Sequence, residues 1–334
     1  MSGGSSLPYQ LRPNKAVDRE LFLSLLNRVA AILKLETYAY IGLGGPFLED
    51  FRLIHARLGI EKMVCIEAEE DVHKRQLFNR PVDCIECVHD TLEDYLDDNE
   101  IELPSIIWFD YTEPDGITDQ IERFSRTIGE VPVGSILRIT LNANPSSLGR
   151  PHPDEITTEE GPIEERESGK KNLQEWRLER FKERMGMAMP NDLVPKDMTF
   201  RRYGTSILQA LSLSVDRHII GFPDRKIKWA LATHYADGQP MVTATLFVSN
   251  NEDQEAFIEQ SIEEWEFYST PDHPLRLDMP ALSALERLCM ESSNDPRKAL
   301  GFELPKTEMK EDPYESFKRF YRVFPHFSRV EVGP

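Results

Sequence analysis

Three glycines near the start of the chain directly follow a short apolar stretch. Gly42, Gly44 and Gly45 come after residues 37–41, an aromatic and β-branched run that predicts a buried strand. A helical pattern begins at Leu48. Glycines let a backbone approach a ligand closely, and the first turn of a helix presents unpaired N–H groups. The pattern favours a nucleotide-type ligand, although a tight turn without a ligand explains it equally well.

The glycine turn departs from the G-x-G-x-x-G fingerprint of dinucleotide-binding folds. Phe47 stands where the third glycine of that fingerprint would be. A turn with fewer glycines fits a smaller ligand, such as the adenosyl part of S-adenosylmethionine (SAM), better than a pyrophosphate. We therefore disfavour a nicotinamide-dependent dehydrogenase.

Acidic residues follow at the ends of the next two predicted strands. Glu67 closes the strand predicted at 62–67, about 25 positions after Gly42, where doubly wound nucleotide folds place an acid that binds ribose hydroxyls. It could also be one member of an acidic surface cluster. Asp90 follows the strand predicted at 82–88. We expect it either to contact an adenine amine or to cap the next helix.

Asp110 and Tyr111 stand at the end of the apolar strand predicted at 105–110. Polar groups just past such a strand lie at the ligand-facing edge of the sheet. We expect both to face the reacting group, with the carboxylate as a possible general base. Asn142 and Asn144 follow the fifth strand and could join Asp110 in an oxygen-rich metal site. That signal is weak, and no metal site is predicted.

The elements that must position these residues alternate between strand and helix. Asp-Gly at 237–238 separates two alternating runs and predicts an antiparallel hairpin. The fold class is α/β, a doubly wound, seven-stranded, mostly parallel sheet that ends in this hairpin. The strands are predicted at 37–41, 62–67, 82–88, 105–110, 135–141, 227–235 and 241–248.

We expect three parts in the chain: an N-terminal arm and helix at 1–34, a Rossmann-like domain at 35–250, and a helical C-terminal appendix at 251–334. Residues 145–200 break the strand–helix rhythm and form an insertion in the second part. The first helix is predicted at 17–33, after a polar stretch at 9–15 that is extended before Pro13. Polar residues gather where that helix begins and could line a substrate entrance or carry surface charge: Arg12, Asn14, Lys15, Asp18 and Arg19.

Composition narrows the range of partners. The 334 residues carry a formal net charge of −19, which opposes broad phosphate-driven nucleic-acid binding. We find no membrane-length apolar stretch and no signal pattern. The four cysteines are too few for a disulfide scaffold and indicate a reducing cytoplasm. Within an alternating strand, Cys84 and Cys87 would face opposite sides, which disfavours a metal or redox pair between them.

Together these features resemble the class I SAM-dependent methyltransferases over residues 17–250. The resemblance is carried by IGLGG at 41–45, Glu67, His89-Asp90, Phe109-Asp110-Tyr111 and the terminal hairpin. More narrowly, LRPNKAVDRELF, YIGLGGPFLEDF, KRQLFN and FDYTEP resemble a family of bacterial proteins labelled as O-methyltransferases. The resemblance implies SAM as methyl donor, bound by Gly42, Gly44, Gly45, Glu67 and Asp90. It leaves the acceptor unidentified.

Two departures from the class I pattern keep an alternative open. Tyr40 stands where these enzymes usually carry an acid, and Glu49 or Asp50 could supply the missing charge. No NPPY-type motif follows the fourth strand, so an amino-methylating nucleic-acid enzyme is less favoured. The alternative is a catalytically inactive, methyltransferase-like subunit that assembles with a protein partner through the insertion or the acidic appendix.

Overall fold

The computed structural model describes residues 12–159, 170–250 and 262–325, and its centre is one sheet of eight strands. Their order is β3-β2-β1-β4-β5-β7-β6-β8. The first five strands are parallel, and β7 runs antiparallel between β5 and β6. The strands are β1 Ala39–Leu43, β2 Lys62–Glu67, β3 Ile85–His89, β4 Ser105–Asp110, β5 Ile136–Asn142, β6 Lys226–Ala236, β7 Pro240–Ser249 and β8 Leu275–Leu277.

The predicted fold class is confirmed, with one correction to the strand count. Seven strands were predicted, whereas the described residues contain eight. The additional strand is β8, which pairs in parallel with β6 at the edge of the sheet. This strand is only three residues long, too short to show an alternating pattern in the sequence. It also lies in the stretch predicted as a purely helical appendix.

Helices cover both faces of the sheet. They are α1 Pro13–Leu33, α2 Glu49–Leu58, α3 Glu70–Asn79, α4 Leu92–Asp98, α5 Ile117–Glu130, α6 Leu173–Met185, α7 Tyr203–Ile219, α8 Ala284–Glu291, α9 Pro296–Leu300 and α10 Pro313–Phe320. None of them is long and apolar enough to cross a bilayer. The first helix begins at Pro13, earlier than the predicted start at 17, because this proline occupies the first turn of α1, where its fixed φ suits a helix.

Each face of the sheet has its own apolar core. The side chains of α1 and α2 pack on one face together with those of the C-terminal segment, including Phe317 and Phe320. Those of α5, α6 and α7 pack on the other. For the C-terminal segment, the sequence predicts a helix at 254–267 and an aromatic tail that extends to Phe327 and whose density indicates core packing. Most of this helix, and Phe327, lie outside the described residues. The division into three parts stays a prediction.

A buried ion pair fixes the start of α1 over the sheet. The Arg138 guanidinium lies 2.6 Å from Asp18 Oδ2, and both side chains are almost fully buried. Thr233 and Thr243 donate their hydroxyls to the other oxygen of Asp18, at 2.7 and 3.0 Å. The guanidinium also packs on the ring of Phe22. The two charges therefore compensate each other, and α1 is held against β5, β6 and β7.

Candidate functional site

A cavity of about 410 Å³ opens at the carboxyl ends of the parallel strands. This size lies within the range of small-ligand sites in proteins. Six of the seven predicted site residues line it: Gly44, Gly45, Glu67, Asp90, Asp110 and Tyr111. Gly42 does not, because it lies inside β1, paired with Cys65 on one side and Trp108 on the other. The predicted crevice is therefore open, and no side chain of the described residues fills it.

Core side chains contact the glycine turn on the side that faces away from the cavity. A Cβ added to Gly44 would lie 2.5 Å from Cys65 Sγ, so only glycine fits there. A Cβ on Gly45 would meet nothing within 4 Å. Gln76 and Asn79, both on α3, donate their side-chain amides to the carbonyls of Gly44 and Pro46. The turn is thus fixed on its core side and open on its cavity side, which fits a ligand that approaches the backbone closely.

Two carboxylates at the ends of β2 and β3 also line this cavity. Glu67 is half-buried, and burial raises its pKa above the ordinary value. One of its oxygens accepts a hydrogen bond from the Glu69 N–H at 2.9 Å. The backbone N–H of Asp90 donates to the Glu67 carbonyl at 3.1 Å. The capping alternative for Asp90 is wrong, because the N-cap of α4 is Thr91, whose hydroxyl accepts from the Asp94 N–H.

Asp110 forms an ion pair with a residue of α1. Its Oδ2 lies 3.4 Å from Lys15 Nζ. Burial acts to raise the pKa of Asp110, but the Lys15 ammonium, with hydrogen bonds from Thr140 and from Lys15 itself, outweighs it and lowers this pKa. The carboxylate is therefore held in its ionised form. It is a weak base at neutral pH and a good anchor for a cation.

Tyr111 reaches across the cavity towards α4. Its hydroxyl donates to Glu93 Oε1 at 2.5 Å. Burial, followed by this hydrogen bond and the charge of Glu93, raises the pKa of Tyr111 well above its ordinary value. The phenol is therefore neutral at physiological pH and can act as a hydrogen-bonding or packing group, not as a base.

A second cavity, of about 650 Å³, adjoins the first. Arg12, Lys15 and Thr112 line both cavities and form the boundary between them. The second one extends from this boundary to the end of β5 and to the β6–β7 turn; its wall there includes Asn142, Asn144, Ser146, Asp237 and Gln239. No sequence pattern predicted this cavity. In the sequence, this cavity was indicated only by the polar cluster at the start of α1 and by the amides after β5.

The start of α1 is tied to the β6–β7 turn by hydrogen bonds. The Asn14 side chain donates to the Ala236 carbonyl at 2.8 Å and to Asp237 Oδ1 at 3.0 Å. The Lys15 N–H donates to Asp237 Oδ2 at 2.8 Å. These bonds place Arg12 and Lys15 at the boundary of the cavities, as the substrate-entrance interpretation expected. Asn14 is instead buried and structural.

The other charged groups considered in the sequence have different partners. Asp50 and Glu49 form ion pairs with Arg19, and neither lines the first cavity, so they do not supply the acid missing at Tyr40. Asn142 donates to the Thr112 carbonyl at 3.1 Å and supports the loop between the cavities. Among the described residues, no group of three or more His, Cys, Asp or Glu side chains is placed to hold a metal ion.

Solved structures similar to this chain include several methyltransferases. Trm1 from Pyrococcus horikoshii, in complex with SAM, is 13% identical over 74% of this chain, with a TM-score of 0.46. This chain spans only 58% of that protein's length. An O-methyltransferase from Bacillus cereus, in complex with S-adenosylhomocysteine (SAH), is 13% identical over 70% of this chain and 81% of its own, with a TM-score of 0.36.

The plantazolicin methyltransferase BamL, in complex with a triazolic desmethylPZN analogue and SAH, is 11% identical over 73% of this chain and 88% of its own, with a TM-score of 0.37. Likeness at this level says nothing about the acceptor of this chain. No curated protein sequence matches it. The model of the family described as "Putative O-methyltransferase" matches residues 7–332. Because this match spans nearly the whole chain, the resemblance predicted from the sequence is confirmed, and the chain belongs to this methyltransferase family.

Proposed function

We propose that this protein is a SAM-dependent methyltransferase that methylates an oxygen atom of a small acceptor. The observation that carries the proposal is the pair of adjoining cavities, which share the boundary formed by Arg12, Lys15 and Thr112. The first cavity has the residues suited to an adenosyl ligand. The second has a polar wall and room for an acceptor beside the end of β4.

In the first cavity, we assign the donor's ribose to Glu67 and its adenine amine to Asp90. Carboxylates accept hydrogen bonds from both groups, and both residues lie at the carboxyl ends of neighbouring strands. Gly44 and Gly45 admit the rest of the donor, since the turn is open on its cavity side. Gly42 contributes indirectly: a Cβ there would come within 3.3 Å of the Trp108 carbonyl and disturb the pairing of β1 with β4.

SAM, when bound, supplies an electrophilic methyl group on a sulfonium. The chain has to align an acceptor oxygen with that group, and alignment alone accounts for a large part of the rate of such a transfer. We assign this role to Lys15, oriented by its ion pair with Asp110, together with Tyr111 on the donor side. Asp110 thus positions the acceptor through Lys15, because its lowered pKa makes it a poor proton acceptor.

A hydroxyl acceptor must also lose its proton. Asp237 lines the second cavity, and burial raises its pKa despite hydrogen bonds from Lys15 and Asn14. A carboxylate whose pKa is shifted towards neutral is a better general base than one held ionised. We therefore assign proton removal to Asp237.

Nothing in the described part of the chain favours the inactive-subunit alternative. That alternative predicts a blocked donor site, whereas the crevice is open. A protein partner at the insertion or the C-terminal segment, and a cytoplasmic location, stay predictions. The net charge of −19 argues against broad nucleic-acid binding.

Calorimetric titration with SAH tests the donor site. We expect binding by the full-length protein and a loss of affinity of about tenfold or more in Glu67→Ala, the effect of losing hydrogen bonds to a charged group. Glu70→Ala is the matched control, because Glu70 is exposed on α3 and pairs with Lys74. NAD should not bind. Equal affinity in wild type and Glu67→Ala would remove Glu67 from the site, and absence of SAH binding would refute the proposed function.

A further inference from the structure

We propose that Cys65 and Cys87 form a reversible disulfide, and that this bond weakens donor binding by drawing the Cys65 sulfur away from the glycine turn. The second half of this proposal rests on the proposed function. The first half concerns only the two thiols. The Cys65–Cys87 pair differs from the Cys84–Cys87 pair considered in the sequence, because here the partner of Cys87 lies on the neighbouring strand.

The two residues face each other across adjacent strands. Cys65 of β2 and Cys87 of β3 are partners in the parallel register, so their side chains project from the same face of the sheet. Neighbouring strands lie about 4.8 Å apart, which is within the Cα separation that a disulfide spans, about 4.4–6.8 Å. Cys84 precedes β3 and its sulfur lies 3.6 Å from His55 Nδ1. The geometry therefore selects Cys65 as the partner of Cys87.

The two thiols also differ in reactivity. Cys65 is fully buried, whereas Cys87 is half-buried. A hydrogen bond from Cys65, aided by the charge of Arg80, lowers the pKa of Cys87 to about 7. The same hydrogen bond and burial raise the pKa of Cys65. A thiol with a pKa near neutral is the better attacking group, so Cys87 is the first to react and Cys65 the one that resolves.

The oxidation balances with hydrogen peroxide as oxidant. The Cys87 thiolate attacks one peroxide oxygen, the O–O bond breaks, and Cys87 becomes a sulfenic acid while water leaves. The Cys65 sulfur then attacks the Cys87 sulfur, the S–S bond forms, and a second water carries away the remaining oxygen and the thiol proton. Two thiols are oxidised and one peroxide is reduced.

The link to the donor site is the contact between Cys65 and Gly44. A Cβ on Gly44 would come within 2.5 Å of Cys65 Sγ, so the sulfur lies directly beneath the turn. Hydrogen bonding from the Gly44 backbone acts on the Cys65 thiol. In a disulfide, the Cys65 sulfur points towards β3, and its contact with Gly44 is lost. Exposed disulfides are readily reduced again, and Cys87 is only half-buried, so the change is reversible.

The test treats reduced full-length protein with hydrogen peroxide, alkylates it under denaturing conditions and maps the peptides by mass spectrometry. We expect a Cys65–Cys87 linked peptide in wild type and in the control Cys84→Ser, and none in Cys87→Ser. A Cys84–Cys87 link would overturn the proposal. So would Cys65 recovered in alkylated form while Cys87 is oxidised.

Calorimetry with SAH provides the second readout. Affinity should fall about five- to tenfold on oxidation, the loss expected for one hydrogen bond, and should return with dithiothreitol. Cys87→Ser should keep its affinity through the same treatment. An oxidised, linked protein with unchanged affinity overturns the coupling. If reduced protein does not bind SAH, the proposed function fails instead, and peptide mapping still decides whether the disulfide forms.

Discussion

Individual residues that line the first cavity take their conformation and charge from the side chains packed against them. Gly44 is required because the Cys65 sulfur occupies the space that a side chain would need, while Gly45 faces open space. Asp110 was predicted as a possible base, yet Lys15 holds it ionised. Residue type at a strand end therefore predicted the location of these groups but not their chemical state.

Alanine substitutions at Gly44 and Gly45 should show which of the two glycines is required by core packing. Gly44→Ala forces Cys65, Phe51 and Leu48 to shift, and we expect a loss of about 1–3 kcal/mol in the free energy of unfolding. Gly45→Ala is the matched control for folding, since its Cβ meets nothing. Urea denaturation measures both variants. Equal destabilisation by the two substitutions would contradict this assignment.

The Lys15–Asp110 pair should be visible in the pH dependence of stability. Because the pKa of Asp110 is lower in the folded protein, its contribution is fully present above the unfolded pKa, about 3.9. It is lost as pH falls through the folded pKa. We expect Asp110→Asn to be less stable than wild type near pH 6, and the difference to shrink in acid.

Urea denaturation between pH 6 and pH 3, at a few closely spaced values, makes this comparison. Asp115→Asn is the control, since Asp115 is exposed in the same loop and should leave the pH dependence of wild type intact. A constant difference between Asp110→Asn and wild type over this range would contradict the electrostatic explanation.

At the scale of elements, α1 organises the site although it lies outside the strand–helix repeat. Its first turn is bonded to the β6–β7 turn through Asn14 and Lys15, and its second turn to Arg138 of β5 through Asp18. This double attachment closes one side of both cavities. A helix with one core-facing side was expected here, and we propose that its polar first turns contribute to the site.

Removing Asp18 should release this helix. Asp18→Ala leaves Arg138 buried without its carboxylate, and we expect a loss of about 3–5 kcal/mol in the free energy of unfolding. Glu20→Ala is the control on the same helix: its 2.6 Å pair with Arg57 is at the surface and should be worth less than about 1 kcal/mol. Denaturant unfolding measures both.

A double variant tests whether the lost stability arises from the unpaired charge of Arg138. If the double substitution Asp18→Ala with Arg138→Met regains stability relative to Asp18→Ala, the cost arises from the uncompensated charge. If the double variant is less stable by the sum of two independent losses, the ion pair is not the cause.

At the scale of the whole molecule, the C-terminal segment shares its core with α1. Phe317 and Phe320 are 1% exposed, and Phe320 stacks on Phe267 with ring centroids 5.7 Å apart. Strand β8 extends the same sheet. Aromatic density in the sequence correctly indicated core packing, but it did not reveal which element would supply the other half of that core.

This shared core predicts cooperative unfolding. We expect calorimetry to show a single transition, and Phe320→Ala to shift the whole of it, with a loss of about 3–5 kcal/mol. Phe302→Ala is the control, because that ring is 51% exposed. Two transitions, of which only one responds to Phe320→Ala, would show instead that the predicted appendix folds separately.

Sequence patterns were enough to predict the type and order of the main elements, the glycine turn, and the acids at the strand ends. These are local features, encoded by periodicity and by residues within one strand–turn–helix unit. Two contacts of Lys15 became visible only in the folded chain. Its ammonium pairs with Asp110, and its backbone N–H donates to Asp237, 222 positions along the chain. The tertiary structure also showed that β8 completes the sheet. Such contacts arise from the packing of distant segments on a common core, and no local pattern records which segments will meet.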